Sequence, residues 1–206
     1  MKIKQLPLLI LFFSLIVTVQ AKAGDQFTIS PIYLQDFMRN DAETGYRFHG
    51  PGINASFFRD GALDLNFSVT AGIPVVLSEN GSTDISYDYY SNPASIHLLA
   101  GPVWSFPMGE IMIFEPSLGL QAGFINLKGA GYSSLQFAPL GIGTELRLKA
   151  RINPKLMLGM MTGFNWNIID MLHFSDHDTG YSVSAGISAG FEFESGRVKR
   201  NRRNKE

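Results

Sequence analysis

The sequence contains no cysteine, which excludes disulfides, thiolate metal sites and the lipid-modified N-terminal cysteine of lipoproteins. It also lacks any run of about eighteen apolar residues, the length that a membrane-spanning helix requires. The longest such run, Leu8–Val19, is too short. Apolar residues at helical spacing are missing as well. These absences argue against a helical membrane protein and against a fold built on amphipathic helices.

The first residues have the pattern of a targeting segment. Lys2 and Lys4 precede the apolar run Leu8–Val19, and Ala21-Lys22-Ala23 is a small-x-small cleavage site. We therefore expect residues 1–23 to be a cleaved signal peptide and the remainder to be an exported, single-domain protein.

The charges are distributed unevenly along the remaining chain. Residues 24–194 carry 8 Lys and Arg against 17 Asp and Glu, whereas residues 195–206 carry 6 Lys and Arg against one Glu. The basic tail 195–206 is predicted to be a disordered, solvated periplasmic segment. Its alternative roles are docking onto the acidic lumen or onto an anionic envelope polymer. Nucleic-acid binding is not expected of so short a segment in an exported protein.

Regular alternation of apolar and polar residues is what the sequence does contain. In Ile111–Phe124 every even position is apolar, and from Glu115 onward the odd positions are polar or glycine. A period of two predicts a β-strand with one apolar face, and its length suits a tilted strand that crosses a bilayer. The same pattern predicts eight strands: Gln26–Phe37, His49–Phe58, Leu63–Ile73, Ser95–Ser105, Ile111–Phe124, Phe137–Leu148, Leu156–Asn167 and Tyr181–Phe193.

The connections between these strands alternate in length. Those after the first, third, fifth and seventh strands are long, and the others are short turns, as in barrels of the outer membrane. Aromatic residues are expected to form a girdle at each end: Phe57, Trp104, Phe114 and Phe193 at the short-turn end, and Phe37, Phe124, Phe137, Trp166 and Tyr181 at the long-loop end. A soluble lipocalin-like barrel would instead point its apolar face inward. The second face of the fifth and eighth strands consists of Gly, Ser and a few acids, which suits a narrow lumen better than a solvated surface and disfavours this alternative.

The prediction is therefore an all-β, up-and-down, eight-stranded antiparallel transmembrane β-barrel over residues 24–194. Residues 24–193 resemble the small outer-membrane barrels of the OmpA, OmpX and OmpW kind, and Phe191 and Phe193 match the alternating aromatic ending of those barrels. The resemblance implies a place in the bacterial outer membrane, contact with its lipid and lipopolysaccharide, and assembly by the barrel-insertion machinery. It implies no cofactor.

Because successive residues of a strand point to opposite faces, one set of charged side chains is expected to face the lumen near the short-turn end. These candidate residues are Asp64, Glu115, Glu145, Arg147, Glu192 and Glu194. Their structural interpretation is a polar plug in which Arg147 pairs with Glu115 or Glu145, while the surplus carboxylates retain a proton or find another cation. Their functional interpretation is a small gated pore that prefers cations. A wide channel is excluded because eight strands enclose little space.

The long loops carry the other candidates. Tyr87, Tyr89 and Tyr90 could anchor contacts with a surface ligand or lie in the outer aromatic belt. A second exposed group of residues consists of His173, Asp176, His177 and Asp178, and we predict no metal site there because no known ligand spacing fits. His173-Phe174-Ser175 also resembles the His-x-Ser element of PagL-type lipid A deacylases. The carboxylate that must orient the histidine is missing from that end of the barrel.

These observations predict a protein without catalytic activity, whose exposed loops have a structural or surface-interaction role. The alternatives are passage of small or hydrophobic solutes, as in OmpW-like proteins, and lipid A hydrolysis of the PagL type.

Overall fold

A computed structural model describes residues 25–39, 45–59, 64–79, 82–85, 90–129, 135–172 and 180–193. In these residues it contains the strands β1 (Asp25–Arg39), β2 (Gly45–Arg59), β3 (Leu65–Gly72), β4 (Val76–Glu79), β5 (Ser82–Ile85), β6 (Tyr90–Pro102), β7 (Phe106–Met108), β8 (Met112–Gly129), β9 (Leu135–Phe137), β10 (Pro139–Arg151), β11 (Leu156–Asp170) and β12 (Gly180–Phe193). Across the same residues, no helix is long and apolar enough to cross a membrane.

Eight of the strands form a closed antiparallel ring. The order around the ring is β1, β2, β3, β6, β8, β10, β11 and β12, and β1 pairs with both β2 and β12. The first and last described residues, Asp25 and Phe193, face each other across the closing ladder. Closure leaves no free strand edge, whose backbone N–H and C=O groups would find no hydrogen-bond partner in hydrocarbon. The predicted eight-stranded barrel is confirmed.

The alternation of apolar and polar residues in the sequence corresponds to an alternation of exposed and buried side chains in the barrel. On β1, inward Thr28, Ser30 and Asp36 are buried, whereas Ile29 and Tyr33 point outward. Large apolar side chains are exposed on every long strand, including Leu120 at 74% and Ile187 at 66%. So extensive an apolar surface is incompatible with water and suits a lipid bilayer. The lipocalin-like alternative, which needs an apolar interior and a polar exterior, is therefore wrong.

Aromatic rings line part of the outer face near the long-loop end. Phe37 stacks on Tyr181 with ring centroids 4.4 Å apart, and Phe164 lies 6.0 Å from Tyr181 on the other side. Trp166, which pairs with Tyr181 across the ladder, is half exposed. Phe137 does not belong to this girdle, as it is 1% exposed and packs inside the barrel.

The barrel wall rises further above the bilayer region than the alternation predicted. The stretch after β3, predicted as a loop, contains β4 and β5, and β4 continues along β2. Between β3 and β4 the ladder gains one residue around Pro74, because Gly52 pairs with Gly72 whereas His49 pairs with Val76. Likewise, β8 continues to Gly129, and β9 folds back onto it.

At the opposite end the connections are tight. The turn between β7 and β8 contains Gly109, whose φ of 78° is a left-handed conformation that favours glycine. The two ends therefore differ as predicted, with extended hairpins on one side and short turns on the other.

Candidate functional site in the barrel interior

The interior of the barrel is filled by side chains in four successive layers. From the long-loop end we name them the apolar cap (Met38, Phe48, Leu77, Ile125, Phe137), the histidine layer (Asp36, Ser95, His97, Gln121), the Glu145 network (Asn54, Asn66, Ser68, Glu145, Arg147) and the lysine layer (Gln26, Glu115, Lys149). Every residue of the four layers is buried.

The apolar cap closes the lumen at the long-loop end. Phe48 and Phe137 lie with ring centroids 6.0 Å apart in a tilted arrangement, and Tyr46 packs against both rings. The strand extensions explain this cluster, because Leu77 lies on β4 and Ile125 lies on the part of β8 that the alternation assigned to a loop. The cap separates the polar layers beneath it from the outside.

The histidine layer lies directly below the cap and was not among the sequence candidates. His97 Nε2 lies 2.9 Å from Asp36 Oδ1, and Ser95 Oγ donates to Asp36 Oδ2 at 2.6 Å. Gln121 Nε2 lies 2.9 Å from His97 Nδ1. Each ring nitrogen of His97 therefore has a partner, as a buried imidazole requires.

Although it contains Ser, His and Asp, the histidine layer lacks the geometry of a hydrolase triad. In a triad the carboxylate and the nucleophile bind different nitrogens of the imidazole. Here Ser95 Oγ lies 3.0 Å from Nε2, the nitrogen that Asp36 also contacts. The group is also buried, with His97 2% exposed. The arrangement therefore joins β1, β6 and β8 through hydrogen bonds and has no access to a substrate.

The Glu145 network is organised around one carboxylate. Glu145 accepts hydrogen bonds from Asn54 Nδ2 at 2.9 Å, Asn66 Nδ2 at 3.1 Å and Ser68 Oγ at 2.6 Å. It also forms an ion pair with Arg147, which in turn donates to Asn66 Oδ1. Four donors from β2, β3 and β10 thus surround a single buried anion, which offsets the cost of removing its charge from water.

The lysine layer contains the second buried ion pair. Lys149 Nζ lies 2.6 Å from Glu115 Oε2 and donates to Gln26 Oε1 at 2.9 Å. Glu115 is 0% exposed. Of the two partners predicted for Arg147, Glu145 is the one observed and Glu115 is not, although Glu115 and Arg147 face each other across the β8–β10 ladder. Lys149 takes Glu115, and Arg147 takes Glu145 two residues away on its own strand.

The other predicted lumen residues lie toward the rim. Asp64 is buried at the short-turn end, and its backbone oxygen accepts from Val103 N at 3.1 Å. Glu192 pairs with Arg151, whose guanidinium is partly exposed, at 2.8 Å. Glu194 lies outside the described residues. Lys149 and Arg151 thus supply cations for two of the carboxylates that the sequence left in surplus.

The loop candidates are not described. Tyr87, Tyr89, His173, Asp176, His177 and Asp178 lie outside the described residues, and so do the signal peptide and the tail 195–206. Tyr90 begins β6, so the backbone there is strand and not loop. Within the described ranges, no three His, Asp or Glu residues are grouped so as to hold a metal ion.

Two inward residues, His97 and Lys149, were missed by the sequence interpretation although the alternation along their strands indicated them. His97 lies between the outward Ile96 and Leu98, and Lys149 continues the inward series Glu145 and Arg147. Ending the sixth strand at Leu148 removed Lys149 from consideration. The predicted strand Ser95–Ser105 already contains His97 on its inward face, and extending the sixth strand by one residue would have placed Lys149 in the lumen as well.

Comparison with solved structures yields the same architecture. The chain matches the Neisserial surface protein NspA (12% identity, TM-score 0.54, 81% of this chain and 97% of that one) and OprG of Pseudomonas aeruginosa (14%, 0.59, 85% and 99%). It also matches Ail, the attachment invasion locus protein of Yersinia pestis (14%, 0.50, 84% and 100%). No protein-family description and no curated protein matches the sequence. The likeness is one of fold: the chain has the eight-stranded ring and apolar outer wall of a small outer-membrane β-barrel, as predicted.

Proposed function

We propose that this protein is an integral outer-membrane barrel that acts as a closed anchor, and that its role is carried by the surfaces it presents to the membrane and to the outside. It performs no catalysis in this proposal. The observation that carries the proposal is the filled lumen. An eight-stranded barrel is just wide enough for its own side chains, and here those side chains are interlocked.

The ion pairs and the cap act together to keep the lumen closed. The charges of Glu145 and Arg147 are bound by hydrogen bonds from three strands, so moving either one leaves a buried polar group without a partner. Above them, the rings of Phe48 and Phe137 exclude water. A solute would have to displace an apolar cluster and two buried ion pairs in succession.

Recordings in planar bilayers test this proposal against solute passage. The purified full chain should insert without producing steady conductance steps. The triple variant Phe48→Ala/Phe137→Ala/Arg147→Ala removes the cap rings and the cation of the Glu145 network, and it should leak more current than the unaltered chain. Steady steps from the unaltered protein would contradict the closed anchor and favour the passage of small solutes.

The end of β12 supports the partner expected for assembly. Phe191 and Phe193 both point outward at the short-turn end, with 43% and 53% of their surfaces exposed. Because these aromatic residues are accessible on the outer wall, the barrel-insertion machinery can bind them. The proposal therefore includes that machinery as a partner in assembly.

A further inference from the structure

The outer wall carries a cluster of polar side chains at the long-loop end of the β1–β2 hairpin. We name it the outer polar strip, and its members are Tyr33, Gln35, Arg39, Arg47 and His49. The register places Gln35 opposite His49, and Arg47 opposite Phe37. On β11 and β12 the corresponding outward positions are occupied by apolar and aromatic residues such as Phe164, Trp166 and Val183.

The strip is held in place by contacts among its own members. Arg47 Nη2 donates to Gln35 Oε1 at 3.2 Å, and its guanidinium carbon lies 5.4 Å from the centre of the Phe37 ring. Tyr33 and His49 are joined by a hydrogen bond. These contacts fix the guanidinium while leaving most of its five N–H donors unused.

Neither arginine has an anionic partner in the described part of the chain. The carboxylates that contact a basic side chain there are Asp36, Glu145, Glu115 and Glu192, and none of these reaches Arg39 or Arg47. Arg39 ends β1 and faces Gly45, so it is the diagonal neighbour of Arg47 on the outer face. Side chains in that relation start roughly 7–8 Å apart and can converge on one ligand.

The depth of the strip identifies the kind of ligand. Phe37 stacks on Tyr181 within the outer aromatic row, and such rows lie where hydrocarbon meets headgroups. Arg47 pairs with Phe37 and so lies at the same depth, and Arg39 lies two residues closer to the long loops. The remaining polar members, from Gln35 to Tyr33, reach below Phe37 toward the hydrocarbon. Polar groups there are costly unless a polar partner covers them.

We propose that the outer polar strip is a binding site for a phosphorylated saccharolipid of the outer leaflet. Arg39 and Arg47 bind its phosphate, because guanidinium forks match phosphate oxygens. Gln35, His49 and Tyr33 lie against the amide, ester and hydroxyl groups that join its acyl chains to the sugar. A lipid with only a phosphate would leave this lower half uncovered. The inference rests on the proposed location in the outer membrane.

The first test measures the lipid that remains on the full-length protein after purification from outer membranes in mild detergent. Native mass spectrometry should find phosphorylated saccharolipid bound to the unaltered chain and at least about fivefold less on Arg39→Gln/Arg47→Gln. The matched control is Arg59→Gln, because Arg59 is on the same face of β2 at the opposite end. Its retention should equal that of the unaltered chain. An equal loss in Arg59→Gln would reduce the effect to general surface charge and overturn the site.

The second test distinguishes the lipids. In phosphatidylcholine nanodiscs, diphosphorylated lipid A should bind in preference to its dephosphorylated form and to phosphatidylglycerol. Equal binding of phosphatidylglycerol would overturn the saccharolipid assignment, and equal binding of the dephosphorylated form would overturn the role of the arginines.

Two further outcomes are decisive. If the double variant melts at a lower temperature but retains its lipid, the arginines belong to pairs within the chain and the proposal is wrong. If the double variant does not fold, Arg47→Lys keeps the charge but loses the fork, and a two- to threefold lower retention is then expected; unchanged retention overturns the proposal. Failure of the proposed function would appear separately, as a protein absent from the outer membrane or conducting in bilayers.

Discussion

His97 and Gln121 leave little room beside Gly123, which pairs with His97 across the β6–β8 ladder. A methyl group at Gly123 would lie 2.7 Å from His97 Nδ1 and 3.0 Å from Gln121 Nε2. Gly123→Ala should therefore displace the imidazole and lower the free energy of unfolding by about 1–3 kcal/mol. Urea unfolding in lipid vesicles measures this change.

The control for that variant is another inward glycine with more space. A methyl group at Gly190 would meet Thr28 Oγ1 at 3.2 Å and otherwise make ordinary contacts. Gly190→Ala should change stability by less than about 1 kcal/mol. Equal losses in the two variants would show that the histidine layer is not tightly packed.

The Glu145–Arg147 pair permits a second prediction at the residue scale. Arg147→Met leaves the Glu145 carboxylate buried without its cation, and a loss of about 3–5 kcal/mol is expected. The double variant Glu145→Gln/Arg147→Met should lose less than the single one, because no isolated charge remains. A double-variant cycle in urea measures the difference.

The Arg151–Glu192 pair at the rim provides the comparison for the buried Glu145–Arg147 pair. Arg151 is partly exposed where it meets Glu192, so Arg151→Gln should cost at most about 1 kcal/mol. A cost as large as that of Arg147→Met would contradict the distinction between buried and surface pairs.

Parity assigned Asp64, Glu115, Glu145 and Arg147 to the interior, because alternation is a local property of each strand. It could not assign their partners. Glu115 and Arg147 face each other in register, yet Arg147 turns to Glu145, toward which Asn66 and Ser68 also point. Such a choice depends on three strands that are distant in sequence.

At the scale of elements, strand number and order followed from the alternation, but strand ends did not. The register gains one residue around Pro74, between β3 and β4, and this interrupts the pattern. Phe137 was assigned to the girdle because it is aromatic, but it shares the inward face of Gly141 and Glu145 and packs into the cap. Above the bilayer both faces of a hairpin can be polar or buried, so the contrast that defines a strand in lipid disappears. The cap, which forms there, was unpredictable for the same reason.

The outer face of β8 gives a prediction about the solvent around the barrel. Leu120 is 74% exposed near the middle of β8, so Leu120→Arg should lower stability in lipid vesicles by about 2–4 kcal/mol. Ile111→Arg, at the turn before β8, should cost at most about 1 kcal/mol, since arginine is tolerated near the interface. Two neutral results would mean that water, and not lipid, covers this wall.

For the whole molecule, the closed ring predicts resistance to detergent. The folded chain should migrate differently on a gel before and after boiling, and it should be found in the outer-membrane fraction. A protein recovered in soluble form from the periplasm would contradict the membrane assignment.

The proposed absence of catalysis can be tested in cells. Because the Ser95–His97–Asp36 group is buried and wrongly arranged for acyl transfer, expression of the protein should leave the mass spectrum of lipid A unchanged. Loss of an acyl chain would assign a deacylase activity, and the variants His173→Ala and His97→Ala would then show which histidine is responsible.

The pairing of β1 with β12 has a consequence for the time course of assembly. The ladder that seals the ring joins the two ends of the barrel sequence, Asp25 with Phe193, so it is the contact with the greatest chain separation in the fold. Contacts of that kind form late and slowly. Until β12 arrives, β1 presents an unpaired edge, which is a template for pairing with another chain. Once sealed, the ring offers no terminus from which strands can peel away, so its lifetime is governed by the rate of opening at this one seam.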